Sequence, residues 1–109
     1  MSVTNAINEE TISTFSSASL LAGYQAVNTS GLSNACFLVR IFNHTKGQIL
    51  VSFDGITDHE FLWPGRSLEI YGYDRDNDTV SFSKRTKIYV RGTASIGNLY
   101  VFGYYRRLN

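Results

Sequence analysis

The chain has 109 residues and a formal net charge of +1, and this length suits one compact domain. Hydrophobic residues make up 43% and aromatic residues 14% of the chain, which excludes a disordered polar chain, and the balanced charge gives no electrostatic case for a nucleic-acid or membrane partner. Charged residues are only 17%, below the roughly 25% of an average globular protein, which predicts surfaces that contact other protein.

Residues 1–17 are polar and lack strong periodicity. Three spaced apolar side chains interrupt this segment, namely those of Ile7, Ile12 and Phe15. We predict an extended N-terminal arm, which is either a frayed tail or a segment that lies on a neighbouring subunit and is anchored by these three residues. The segment has neither the basic region nor the apolar region of a signal peptide.

The β pattern begins at about residue 20. Short runs rich in β-branched and aromatic residues alternate with turn residues, without a convincing long helix. The runs are LLAGYQAVN (20–28), CFLVRIFN (36–43), QILVSFDG (48–55), SLEIYGY (67–73) and VSFS (80–83). Because a short glycine-containing turn joins the second and third runs, we predict a hairpin there. About six to eight strands predict a single antiparallel β-sandwich or small jelly roll over residues 18–109.

The only cysteine, Cys36, excludes an intramolecular disulfide and a cysteine-rich zinc site. Its apolar neighbours predict a buried, inert thiol. Further along the chain, WPG (63–65) predicts a β-turn with proline at its second position and glycine at its third.

The acidic loop DRDNDT places Asp74, Asp76 and Asp78 at the spacing that opens an EF-hand loop. Thr79 stands where that loop needs glycine, and Arg85 stands where it needs glutamate. We therefore predict a solvated turn without a metal or any other cofactor, and weak calcium binding remains the alternative.

Two further groups of residues have side chains that could form a site of chemistry. DGITDHE brings together Asp54, Asp58, His59 and Glu60. Carboxylates and histidine can serve acid–base catalysis. No nucleophile accompanies them and an exposed turn offers no pocket to shift a pKa, so we predict that the protein is not an enzyme. Basic residues at 84–91 lie among aromatic residues, but RNP-type motifs are absent, and we predict no nucleic-acid partner.

The last segment, KIYVRGTASIGNLYVFGYYR (87–106), predicts two strands of one hairpin with a turn near ASIGN. One face would carry the core residues Ile88, Val90, Leu99 and Val101. The opposite face would carry Tyr89, Arg91, Tyr100, Phe102, Tyr104 and Arg106. Tyr and Arg are enriched at protein interfaces, so we predict that another subunit covers this face, with cover by a second sheet or arm of the same chain as the alternative.

Two long stretches resemble a family of small bacteriophage virion proteins. They are FLVRIFNHTKGQILVSFDGITDHEFLWPGRSLEIY (37–71) and TKIYVRGTASIGNLYVFGYY (86–105). The shared order is a hydrophobic strand, a turn, ISFDGxTDH-like text, an apolar Pro-Gly corner and a late strand of the type IYV(K/R)GTAxxGNxYV. The resemblance covers about residues 36–105. WPG departs from it, because a smaller apolar residue is expected before the proline, and the acidic loop at 74–78 is particular to this chain.

The resemblance implies a noncatalytic β-sandwich structural protein of a tailed-phage particle. Such a protein would be a capsid decoration or auxiliary protein, a head-fibre base, or a neck or tail accessory component. Its partners would be copies of itself and other phage structural proteins, such as the major capsid, portal, neck or tail proteins. Its location would be the virion, after synthesis in the cytoplasm of the host bacterium. The alternative is a tail-associated carbohydrate- or receptor-binding module in which an exposed Trp63 stacks on sugars.

Overall fold

A computed structural model describes residues 7–71 and 82–106, with side chains for residues 9–71 and 82–105. These residues form nine β-strands and one 3-10 turn, Ser17–Ser19. The strands are β1 (Ile7–Glu9), β2 (Ser13–Ser16), β3 (Gln25–Ala26), β4 (Leu38–Thr45), β5 (Ile49–Ser52), β6 (Glu60–Leu62), β7 (Ser67–Tyr71), β8 (Tyr89–Gly92) and β9 (Gly97–Arg106). The predicted all-β class is confirmed. Within the described ranges, no helix has the length and apolar character needed to cross a membrane.

The strands form two antiparallel sheets. The first sheet has the order β1-β9-β4-β7, and β2 pairs with β9 beside β1, so that β1 and β2 together form one edge. The second sheet has the order β3-β8-β5-β6. Four pairs are nested along the chain: β2 with β9, β3 with β8, β4 with β7, and β5 with β6. The chain is therefore one long folded-back ribbon rolled into two sheets, which is the arrangement of a small jelly roll.

Both predicted hairpins are wrong in their pairing. Strands β4 and β5, joined by the HTKG turn, lie in different sheets, and so do β8 and β9. The short connections therefore cross from one sheet to the other instead of joining hydrogen-bonded neighbours. The predicted core faces are nevertheless correct, because Ile88, Val90, Leu99 and Val101 are all buried. They face one another across the core from opposite sheets.

The predicted first strand, residues 20–28, is mostly loop, and only Gln25–Ala26 forms a strand. The chain instead begins its sheets within the predicted arm, where β1 and β2 pair with β9 of the same chain. Deletion of residues 1–17 would therefore remove one edge of the first sheet. Of the predicted run at 80–83, only Phe82 and Ser83 are described, and Phe82 forms an isolated bridge with Cys36.

The core lies between the two sheets and is built from inward positions of β4, β5, β6, β8 and β9 together with residues of the connections. It consists of Leu20, Val27, Leu32, Cys36, Val39, Ile41, Ile49, Val51, Leu62, Ile88, Val90, Leu99 and Val101. The alternation of buried and partly exposed residues along β4 matches the period of two that a strand imposes. The apolar side of each strand therefore determines which face turns inward.

Hydrogen bonds join the connections at one end of the sandwich, which we call the loop end (residues 17–24, 46–48, 63–66 and 93–96). The side-chain amide of buried Asn43 donates to the carbonyl oxygens of Gly47 and Leu62, each at 2.9 Å. The backbone N–H of Lys46 donates to the carbonyl oxygen of Ile96 at 3.1 Å. Three of the connections are thus fixed relative to one another.

Candidate functional site

The outer face of the first sheet carries a row of neighbouring rings. The rings of Phe42 and His44 on β4 are stacked with centroids 5.5 Å apart, and the ring of Tyr100 on β9 lies 6.4 Å from that of Phe42. The ring of Phe102 lies 6.5 Å from that of Tyr100. The guanidinium carbon of Arg40 lies 4.4 Å from the Phe102 ring centroid, within the range of a cation–π contact. These five residues are called the aromatic sheet face below.

Strand alternation and register produce the aromatic sheet face. Phe42 lies directly across from Tyr100 and Arg40 from Phe102 in the β4–β9 pair, and directly opposed side chains on one face of an antiparallel pair are in contact distance. The described residues form two sheets only, so this face is on the outside of the sandwich. Phe42, Tyr100 and Phe102 are half-buried, and aromatic side chains clustered on an outer face are typical of a surface that contacts another protein.

The structure places some of the predicted interface residues together and separates others. Tyr100, Phe102 and Tyr104 share the outer face of the first sheet, as predicted from their alternation. Tyr89 lies on the second sheet. Its ring packs beside Gly55, so closely that a Cβ atom added to this glycine would be 3.3 Å from the ring. Arg91 lies on the same strand as Tyr89, so the prediction that these two share a face with Tyr100, Phe102 and Tyr104 is wrong. The side chain of Arg106 lies outside the described residues.

The three predicted arm anchors have different surroundings. Phe15 packs against the core of its own chain, opposite Leu99 in the β2–β9 pair. Ile12 is exposed. The side chain of Ile7 is outside the described part, although its backbone pairs with β9. Of the three, Ile12 is the one whose described side chain is available to a neighbouring molecule.

A second surface lies on the outer side of the second sheet, at the loop end. It is a groove of about 530 Å³ that we call the loop-end groove. The residues that define it are Lys46, Gln48, Leu50, Phe61, Trp63 and Arg91. Strand pairing places Phe61 of β6 beside Leu50 of β5, and Leu50 beside Arg91 of β8. The groove therefore runs across three strands from an aromatic wall to a cationic one.

The aromatic wall is a stacked pair. The rings of Phe61 and Trp63 have centroids 5.5 Å apart and planes 7° apart, and both residues are about half exposed, at 55% and 53%. The turn after Trp63 is the predicted one, since the N–H of Arg66 donates to the carbonyl oxygen of Trp63 at 3.1 Å and Gly65 has φ +77°. Sequence reasoning identified Trp63 as exposed but missed Phe61, whose position two residues earlier on a strand was the available signal.

The cationic wall is held by a three-residue cluster. Arg91 donates from Nη2 to Oδ2 of Asp58 at 2.9 Å and from Nε to Oδ1 at 3.2 Å, and the Tyr24 hydroxyl donates to the same carboxylate. Hydrogen bonds first from Arg91 and then from Tyr24 lower the pKa of Asp58. Partial burial and the bond to Asp58 raise the pKa of Tyr24. The cluster ties the β5–β6 loop to β8 and balances the charge of Arg91.

Asp54 and His59, two of the candidates for acid–base chemistry, fix the shape of the β5–β6 loop. Oδ1 of Asp54 accepts hydrogen bonds from the backbone N–H groups of Thr57 and Ile56, at 2.8 and 2.7 Å, and these bonds hold the pKa of Asp54 well below its usual range. Nδ1 of His59 accepts from the backbone N–H of Phe53 at 3.0 Å. These contacts form a rigid turn whose tip exposes Ile56.

Cys36 is fully buried, and this confirms the prediction of a buried thiol. Burial, with a smaller effect of the Glu10 carboxylate, raises the pKa of the Cys36 thiol to about 12. In the described ranges, no three His, Cys, Asp or Glu side chains come together as a metal site would need. The acidic loop with Asp74, Asp76 and Asp78 lies outside those ranges.

Comparisons of the chain with protein-family models, with curated proteins and with solved structures found no match.

Proposed function

We propose that this chain is a noncatalytic structural protein of a bacteriophage virion. In this proposal it is a capsid decoration or auxiliary protein, or a head–neck component, and it acts by binding copies of itself and other virion proteins. The aromatic sheet face is the observation that carries the proposal. Jelly-roll sandwiches occur in viral capsid proteins among other classes, and this likeness of fold adds support by analogy only.

The aromatic sheet face has the chemistry of a protein contact. Tyr, Phe and Arg are enriched in the buried centres of interfaces, where aromatic rings contribute much of the binding energy. Here the rings of Phe42, Tyr100 and Phe102 are already ordered against one another, so binding costs little side-chain entropy. Repetition of such contacts in a symmetric particle would add weak interactions into a stable assembly.

Mass spectrometry of purified particles of the phage that encodes the chain tests the proposal. We expect the chain to copurify with the major capsid protein in a fixed ratio. Hundreds of copies would indicate a decoration protein, and about six or twelve copies would indicate a neck or tail component. A chain that is abundant in infected cells but absent from purified particles would refute the proposal.

Substitution of the face tests where the contact lies. Tyr100→Lys places a charge in the middle of the aromatic sheet face, and we expect it to reduce incorporation into particles at least about tenfold, since a buried unpaired charge is costly at an interface. The control is Thr29→Lys, which adds the same charge at an exposed loop position. Circular dichroism and thermal unfolding of both variants separate loss of contact from loss of folding. Equal incorporation of the two folded variants would exclude this face.

A further inference from the structure

We propose that the loop-end groove binds a chain of neutral hexopyranose sugars, with the Phe61–Trp63 pair as its stacking platform. This inference does not depend on the proposed function, because the groove and the aromatic sheet face are on different sheets. A pyranose ring has an apolar face of C–H groups and a rim of hydroxyl groups. The ligand therefore needs an exposed flat ring beside hydrogen-bonding side chains.

The stacked pair selects for a flat ligand. With centroids 5.5 Å apart and planes only 7° apart, the rings of Phe61 and Trp63 contact each other and leave no slot between them. A proline or an aliphatic side chain of a peptide therefore cannot insert between the rings. The outer surfaces remain exposed, and a flat molecule can lie against them.

The rest of the groove supplies the hydrogen bonds. Lys46, Gln48 and Thr93 line the groove together with Leu50, so hydrogen-bonding groups lie beside an apolar side chain. Ligand sites of about 300–1,000 Å³ with this mixture are typical of small-molecule binding. A second hollow of about 560 Å³ lies across Arg91, beside Leu20, Leu21 and Ala22. Because both hollows share the floor around Leu50, a sugar chain fits the shape better than a single sugar.

The charges favour a neutral sugar over a nucleic acid or an acidic glycan. Arg91 is paired with Asp58 through two hydrogen bonds, so its charge is already balanced. Among the described residues that line the groove, Lys46 is the other cation. Single-stranded nucleic acids also stack on aromatic rings, but their binding relies on a groove with several unpaired cations.

The groove is also fixed before any ligand arrives. Asn43 holds the carbonyl oxygens of Gly47 and Leu62, which flank Lys46 and Trp63 in the chain. The N–H of Gly92, at the floor, donates to the carbonyl oxygen of Leu21 at 3.0 Å. A preformed groove loses little conformational entropy on binding, and this favours affinity for a rigid ring.

Trp63 is the only tryptophan of the chain, so its fluorescence reports on this site alone. The full-length protein is titrated with maltohexaose, cellohexaose and chitohexaose, and with oligothymidylate as the flat polyanionic probe. We expect at least one of the three oligosaccharides to shift the emission and to saturate at submillimolar concentration. If all three leave the emission unchanged at millimolar concentration, or if oligothymidylate binds more tightly than each of them, the proposal is wrong.

Substitutions locate the binding. By isothermal titration, we expect Trp63→Ala and Phe61→Ala each to weaken binding of the same oligosaccharide about tenfold or more, as loss of a stacking ring does elsewhere. The matched control is Tyr71→Ala, which removes another exposed aromatic ring from the first sheet. Unfolding midpoints of all three variants establish that they are folded. Retained binding in both groove variants, or an equal loss in the control, would overturn the assignment to this groove.

Discussion

Asn43 is the residue on which the loop end most depends. Its side chain is fully buried and makes four hydrogen bonds: two from Nδ2 to Gly47 and Leu62, and two to Oδ1 from the N–H and hydroxyl of Thr45. At about 1 kcal/mol net for each bond, Asn43→Ala would cost up to about 4 kcal/mol. Without the Asn43 side chain, the hydroxyl proton of Thr45 can be donated to the carbonyl oxygen of Gly47 instead, so we expect about 2–4 kcal/mol.

Such a loss is large beside the stability of about 5–15 kcal/mol of an ordinary domain. At about 4 °C for each kcal/mol, the midpoint of thermal unfolding should fall by about 8–16 °C. Urea unfolding followed by far-ultraviolet circular dichroism gives the free energy directly. A loss below about 1 kcal/mol would refute the role given to Asn43, since ordinary surface substitutions stay within about 0.5 kcal/mol.

Asn43→Asp tests the same reasoning with almost the same shape. The new carboxylate would face the carbonyl oxygens of Gly47 and Leu62, so the folded state would favour its protonated form and raise its pKa. The stability deficit relative to the wild type should therefore be smallest below the ordinary aspartate pKa of about 3.9. It should grow as the pH rises from there to the raised pKa of the folded state and remain constant above it. Asn98→Asp is the control, because Asn98 makes only a 3.5 Å contact on the outer face. A deficit independent of pH would contradict the geometry.

Three further outcomes follow from the structure. Gly97 has φ +102°, and a Cβ atom there would be 2.1 Å from a backbone carbonyl oxygen of β4. Gly97→Ala should therefore lower the free energy of unfolding in urea by at least about 1–3 kcal/mol. The control Gly23→Ala has open space around the new methyl group and should be neutral or slightly stabilising. Iodoacetamide should leave Cys36 unmodified in the native protein at mildly alkaline pH, because the thiol is buried and its pKa is raised to about 12. In urea it should modify Cys36 fully. Rapid labelling of the native protein would contradict the inertness of this thiol. Arg91→Met should raise the pKa of Asp58 in a carboxyl NMR titration, because the hydrogen bond from Arg91 is the main cause of the lowered pKa of Asp58. In the wild type, this ion pair stabilises the fold above the ordinary aspartate pKa. The stabilisation is lost as the pH falls through the lowered pKa of Asp58 in the folded state.

The alternation of side chains was sufficient to predict which side of each strand is buried. Leu99 and Val101 alternate on β9, Ile88 just before β8 alternates with Val90 on it, and all four are buried. A strand must bury its apolar side wherever it lies in the sandwich. This part of the fold therefore follows from local sequence.

The pairing of the strands could not be predicted from the same pattern. In a hairpin, two consecutive strands share a sheet, whereas in this sandwich β4 and β5 face each other across the core. Both arrangements bury the same alternate residues and need the same short connection. The choice depends on distant partners, since β9 occupies one side of β4 and β7 the other.

The parts of the candidate surfaces that lie on a single strand can be predicted from the sequence, and the parts that depend on contacts between strands cannot. Tyr100 and Phe102 alternate on one strand and were predicted to share a face, as they do. The contribution of Phe42 depends on the β4–β9 register, so it was missed. The cluster of Asp58 with Arg91 was also missed, because it joins residues 33 positions apart whose contact depends on the second sheet.

The separation of the two surfaces connects the two proposals. The aromatic sheet face lies outside the first sheet, and the loop-end groove lies outside the second. A subunit that docks through the first sheet would therefore leave the groove open on its other side. Binding at the two surfaces should accordingly be independent, since sites without shared residues usually contribute additively. Tyr100→Lys should leave sugar binding unchanged, and Trp63→Ala should leave incorporation into particles unchanged. If either substitution abolishes both activities in a folded protein, a single partner covers both surfaces, and the division into two sites is wrong.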